Sequence, residues 1–286
     1  MYTDIYGLSC VENHILAIMN EQKQNITLTY FDCALPFEEL FFHISTKHIT
    51  QAYFSFLPRI QDILKNNGII SLERYESDTT DMLIHDIESC DCSEAILMKV
   101  TPEYTKTTLH ARGLRPDHYV YIKNTPDLFT IFNDIPATIH RVEPKELHRI
   151  WGGDWLKLKI NRALDISDAI SFWNQRKYNP ENDTNHTSSE PNLTNVHDFS
   201  QDLQNTVGVY KVLRKRLVRY YGMYVNCDSI KEMIPDIDKQ YALIEYHMRK
   251  QKDDISKFLS IYHNLCHTEN DIMSTLGESI RRSYCV

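Results

Sequence analysis

The chain has 286 residues, of which 42% are hydrophobic and 24% charged; this excludes a disordered or fibrous protein and suits about two domains at roughly 150 residues each. Lys and Arg number 31 against 39 Asp and Glu, a net charge of −8, which argues against a general binder of nucleic-acid phosphates. Eight glycines and no G-x-G-x-x-G or Walker pattern leave dinucleotide and P-loop chemistry without support.

In chain order, Met1–Tyr6 lacks the basic stretch and apolar run of a signal peptide. No run of 18 apolar residues follows anywhere, so the expected location is the cytoplasm. Ser9–Asn20 predicts a helix: Ser9 serves as N-cap, Glu12 completes a capping box, and Ile15, Leu16, Ile18 and Met19 make an apolar stripe. Further helices are expected over Phe37–His43 and Leu57–Asn67, the latter closed by Gly68, and Asp78–Cys90 reads as helix or partly loop. Strand signals begin at Ala95–Val100. His118–Lys123 and Leu128–Asn133, joined by Asn124-Thr125-Pro126-Asp127, form an antiparallel hairpin. Ala137–Val142 and Trp155–Ile160 add strands around a short helix at Glu143–Ile150.

Leu164–Tyr178 reads as a connecting helix. Residues 179–197 form a polar linker rich in Pro, Asn, Ser and Thr. Beyond it, Asp198–Tyr221, Asp228–Lys252 and Ile255–Tyr284 carry helical periodicity, the middle one interrupted by Pro235. The expected class is α+β. The domains are 1–178, with helices followed by an antiparallel sheet; the linker 179–197; and a helical domain 198–286.

Seven cysteines, at 10, 33, 90, 92, 227, 266 and 285, are an odd, scattered set that suggests free thiols. Cys33, Cys227, Cys266 and Cys285 read as inert buried thiols. Cys90-Asp91-Cys92 would need two more ligands for a metal, with His85 and His110 loosely placed, so no metal or cofactor is expected. Cys10 stands apart because it falls in the first turn of a helix, where the dipole favours thiolate and free backbone N–H groups can hold an oxyanion. His118 opens one strand of the hairpin and Asp134 closes the next, so the two should meet at one end of the sheet. There the acid can orient the imidazole, and the imidazole can deprotonate a thiol. Nucleophile, base and acid arrive in papain-like order. His14, one helical turn from Cys10, is an alternative base.

Tyr6-Gly7-Leu8-Ser9-Cys10-Val11-Glu12-Asn13-His14, the strand opening His118-Tyr119-Val120 and the strand ending Asn133-Asp134-Ile135-Pro136 resemble papain-like cysteine proteins. Among them the likeness is to the N-terminal domain of the butirosin-biosynthesis acyltransferase family, and more distantly to double-glycine leader peptidases, over roughly residues 1–170. The resemblance implies a papain-like domain followed by a helical region, with Cys10 as nucleophile, His118 as base and Asp134 as acid. It also implies acyl transfer in natural-product biosynthesis, from a carrier-protein thioester through the cysteine to an amine. Residues 1–9 contain neither Gln nor Asn, so the oxyanion hole must use the Cys10 N–H and another donor, Asn13 or Tyr6. That lack weighs more against peptide hydrolysis than against thioester chemistry.

The expected partners are an acyl-thioester donor and a small-molecule acceptor, without nucleic acid or membrane; a homodimer stays open. A peptidase, amidase or thioesterase with the same triad, and a non-catalytic scaffold, are the alternatives. Trp151, in Trp151-Gly152-Gly153-Asp154-Trp155, lines a channel or plugs a loop. Arg115 binds a substrate carboxylate or flanks a loop. Leu213–Arg219, the densest basic stretch, is a solvated helix face or a dock for an acidic carrier.

Overall fold

The computed structural model describes residues 9–26, 29, 37–47, 60–109, 117–165, 167–168, 171, 196–222, 226–250 and 255–284. The chain divides into two compact units. One comprises residues 1–26 and 58–164; the other comprises 27–57 and 165–286.

The first unit is α+β. Helix α1 (Cys10–Glu21) begins where the capping box ends: Ser9 Oγ accepts the Glu12 N–H and Glu12 Oε2 accepts the Ser9 N–H. The other oxygen, Oε1, accepts the N–H of Ile60 at 2.8 Å. One buried carboxylate therefore fixes both the start of α1 and the start of α3 (Ile60–Asn66). After α3 come β1 (Ile70–Glu76), α4 (Asp81–Ser89), β2 (Glu94–Val100), α5 (Pro102–Thr107), β3 (His118–Thr125), β4 (Leu128–Asn133), β5 (Thr138–Val142), α6 (Leu147–Ile150) and β6 (Trp151–Ile160). The six strands form one sheet in the order β1-β6-β2-β3-β4-β5, every neighbouring pair antiparallel.

Helix α5, capped by Thr101, has no counterpart among the expected elements, and two strands also depart from expectation. β1 was not anticipated, because its exposed Glu73 and Arg74 break the apolar alternation. β6 starts at Trp151 and not at Trp155, so the Trp-Gly-Gly segment is strand. Gly152 makes this feasible where the β2–β6 register shifts between Met98 and Val100. A Cβ there would sit 2.9 Å from Lys99 Cγ and 3.1 Å from the Val100 oxygen, so the close backbone approach needs a glycine.

One face of the sheet packs Ile96, Met98 and Val100 of β2, Val120 and Ile122 of β3, and Phe129 and Ile131 of β4 against Leu83 and Ile87 of α4. Side chains alternate across a strand, so Tyr119 and Lys123 point to the opposite face. Helix α1 runs there: His14 Nε2 lies 3.0 Å from the Tyr119 oxygen, and Glu21 pairs with Lys123 at 2.5 Å.

The second unit is helical, with α2 (Phe37–Lys47), α7 (Val196–Tyr221), α8 (Asp228–Arg249) and α9 (Ile255–Tyr284). The expected boundary at 178 thus gives way to a division at 164, and residues 27–57 fall in the helical unit. The reason is aromatic packing: Phe37 meets Tyr210 at 5.2 Å, and Phe41 meets Phe199 at 5.5 Å and Tyr262 at 4.9 Å. Of the expected linker, residues 179–195 lie outside the described residues, and 196–197 already open α7. Pro235 does not interrupt its helix; α8 runs through it.

The basic stretch is not a solvated face. Arg214 and Arg216 are buried, while Lys215 and Arg219 are exposed. At 3.6 residues per turn, Tyr210, Leu213, Arg214 and Leu217 share one side of α7. Arg214 pairs there with Glu269 of α9, and its guanidinium lies 4.4 Å from the centre of the Tyr210 ring. Among the described residues no helix is long and apolar enough to cross a membrane.

Candidate active site

The site lies where β3 and β4 part. Their pairing stops at Tyr121↔Phe132. Two residues beyond, Tyr119 turns its backbone toward the side β4 has left, and α1 takes it up. The Tyr119 N–H donates to Cys10 Sγ at 3.5 Å, and its carbonyl accepts His14 Nε2–H at 3.0 Å. The first turn of α1 thus stands in for the missing strand. The Tyr119 hydroxyl is anchored too, donating to Asp154 Oδ1 at 2.5 Å. Asp154 in turn pairs with Arg74 at 2.9 Å and Lys99 at 3.3 Å.

Cys10 is half-buried, as a free thiol. Burial pushes it up to about 11; the N–H of Tyr119 draws it down, the Asp134 charge raises it, and the N–H groups of Val11 and Cys10 lower it. The dipole expectation of a favoured thiolate is therefore corrected: desolvation outweighs the amides at the helix start. At pH 7.5 iodoacetamide is expected to label the exposed Cys92 at least about tenfold ahead of Cys10, since the thiolate is the nucleophile. Mass mapping of the modified peptides checks this, and preferential labelling of Cys10 would contradict it.

His118 is 3% exposed. Its ring is held by Asn133: Nε2 lies 2.6 Å from Asn133 Oδ1. An amide oxygen only accepts, so Nε2 carries the proton, and in the neutral ring Nδ1 carries the lone pair. The Asn133 amide is itself oriented, its Nδ2 donating to the Pro136 oxygen at 2.7 Å. Asp134 lies farther off, with Oδ1 4.0 Å from His118 Nε2. Its Oδ2 accepts Asn13 Nδ2 at 2.8 Å. The expected direct orienter, Asp134, is thus replaced in that contact by Asn133.

The register explains the exchange. Extending Tyr121↔Phe132 places Asp134 opposite Tyr119, on the face that carries α1. Asn133 shares the other face with His118.

Asn13, proposed as an oxyanion donor, spends its Nδ2 on Asp134; besides the Tyr119 N–H, the helix-start amides of Cys10 and Val11 act on the thiol. His14 is fully buried, and burial lowers it to about 4. It serves as a neutral strut to β3, not as a base. Trp151 packs beside the sheet core and lies 6.4 Å from Trp155, which favours the plug over the channel. Tyr6 and Arg115 fall outside the described residues. Cys90 and Cys92 are free thiols, and no group of three or more His, Cys, Asp or Glu able to hold a metal ion occurs among the described residues. Sequence reasoning missed Asn133 as a site residue and Tyr119 as a backbone one; strand parity is the signal for the first.

The chain matches no family model, no curated protein and no solved structure.

Proposed function

We propose that the protein is a cysteine-nucleophile acyltransferase of the kind used in natural-product biosynthesis, with Cys10 as nucleophile, His118 as base and acid, and Asn133 as the residue that holds the imidazole. The observation that carries this reading is the shared seat of nucleophile and base. Tyr119, the residue after His118, gives its N–H to the sulfur of Cys10, while His118 is fixed from its far nitrogen by Asn133.

The chemistry follows from that seat. A neutral thiol needs a base at the moment of attack, and His118 Nδ1 takes the proton as Sγ bonds to the carbonyl carbon of a thioester donor. The helix-start amides of Cys10 and Val11 face the developing oxyanion. Collapse breaks the donor's carbon–sulfur bond, and the imidazolium returns its proton to the leaving thiolate. An amine then attacks the acyl-enzyme, His118 removes its proton, and Cys10 leaves as the thiol. A carrier-protein thioester as donor and a small amine as acceptor complete the proposal.

The test is incubation of the full chain with an acyl-N-acetylcysteamine thioester, read by intact mass and peptide mapping. The expected result is one acyl group on Cys10, absent in Cys10→Ala and discharged faster by a primary amine than by water. Discharge at the same rate with and without amine would make the protein a hydrolase. No adduct on Cys10 would overturn the reading.

A further inference from the structure

The imidazole of His118 sits between two different neighbours. Asn133 touches it, through the 2.6 Å bond to Nε2, and is neutral. Asp134 is charged but stands off, with Oδ1 4.0 Å from the same nitrogen. That carboxylate is 2% exposed, and Asn13, 3% exposed, holds its other oxygen at 2.8 Å. Asp134 Oδ1 and Asn13 Oδ1 are both buried and accept no hydrogen bond among the described residues. A buried carboxylate kept with one oxygen unsatisfied is costly, so its position calls for a compensating role.

We infer that Asn13 and Asp134 form a positioning pair. Asn13, three residues after the nucleophile on α1, clasps Asp134 so that its charge faces the imidazolium formed when Cys10 is deprotonated. Orientation and charge, which a single acid supplies in many triads, are thereby divided between Asn133 and Asp134. This rests on the reading of Cys10 and His118 as nucleophile and base.

Among the described residues, the titratable groups gathered at this point are Cys10 and His14 of α1, His118 of β3, and Asp134. The Tyr119 hydroxyl turns away to Asp154. The carboxylate acts on the two catalytic groups with opposite sign. It favours a positive imidazolium, and it opposes a negative sulfur, one of the influences that raise the Cys10 thiol. Removing its charge should therefore help simple ionisation of Cys10 and harm acyl transfer. Loss of the charge shifts the pH profile of Cys10 labelling to lower pH, whereas a merely loosened site would raise labelling alike at every pH.

The test uses full-length Asp134→Asn, which keeps shape and loses charge, with Asn13→Ala and the double variant. Acylation of Cys10 by the thioester at pH 7.5 is expected to fall about tenfold in Asp134→Asn. Iodoacetamide labelling of Cys10 at pH 8.5 is expected to rise severalfold. Asn13→Ala should slow acylation in the wild-type background and add less than about twofold on top of Asp134→Asn, because the two act as one unit. Equal falls in both rates, unchanged labelling, or additive losses in the double variant would overturn the pair. If wild-type Cys10 takes up no acyl group, the enzyme reading fails, and the labelling result alone still judges the charge acting on Cys10.

Discussion

His118→Ala is expected to slow acylation of Cys10 by about a thousandfold at pH 7, within the range general-base catalysis contributes. The larger part of the test is the pH dependence. With the thiol pushed up to about 11, little thiolate exists near neutrality, and the imidazole must take the proton during attack. Without it, the rate depends on thiolate formed by solvent alone. The rate for His118→Ala should therefore climb about tenfold per pH unit toward 11 and converge on that of the intact protein. A uniform deficit at every pH would show that His118 holds the site together and does not act as a base. Asn133→Ala belongs between the two cases, since it frees the ring to turn but leaves the base in place.

The second large effect concerns stability. His14 is fully buried, and its imidazole is lowered from 6.5 to about 4, chiefly by burial, with the nearby Asp134 charge and the Tyr119 carbonyl working the other way. Between those two values the unfolded chain binds a proton that the folded chain refuses. Stability contributed by the neutral ring is thus complete above 6.5 and is lost as the pH falls toward 4. The loss amounts to about 3 kcal/mol at 1.36 kcal/mol per pH unit. Urea unfolding at pH 7.5 and pH 4.5 is expected to show a clear drop for the intact protein. His14→Gln, which keeps a donor for the Tyr119 carbonyl without a titrating group, should flatten that difference. An equally steep drop in the variant would place the acid sensitivity elsewhere.

Much of this architecture is legible in the sequence. The capping box at Ser9 and Glu12 marks the start of α1 to the residue, because its signal is local and reciprocal. The hairpin of β3 and β4 was legible for the same reason, through alternation and turn residues. What failed needed non-local information. The Glu73 and Arg74 side chains conceal β1, which exists because β6 pairs with it, from Glu76↔Asp154 to Ile70↔Ile160, far along the chain. Arg214 and Arg216 looked solvated because burial of a charge depends on a partner, and Glu269 lies on another helix. At the candidate site, the places of Cys10 and His118 at element starts are legible from the sequence. Asn133 is hidden beside an acid, because chemical type points to Asp134 while the strand's two-residue period points to Asn133.

Because Cys10 bonds to a backbone amide of β3, strand register decides the state of the nucleophile. A slip of β3 by one residue would turn the Tyr119 amide from the sulfur toward β2 and carry His118 to the face of α1, away from Asn133. Misaligned sheets can be compact and well packed, but none of them would assemble this thiol and this base. On the proposed function, acyl uptake by Cys10 would report on correct strand alignment as directly as any structural measurement.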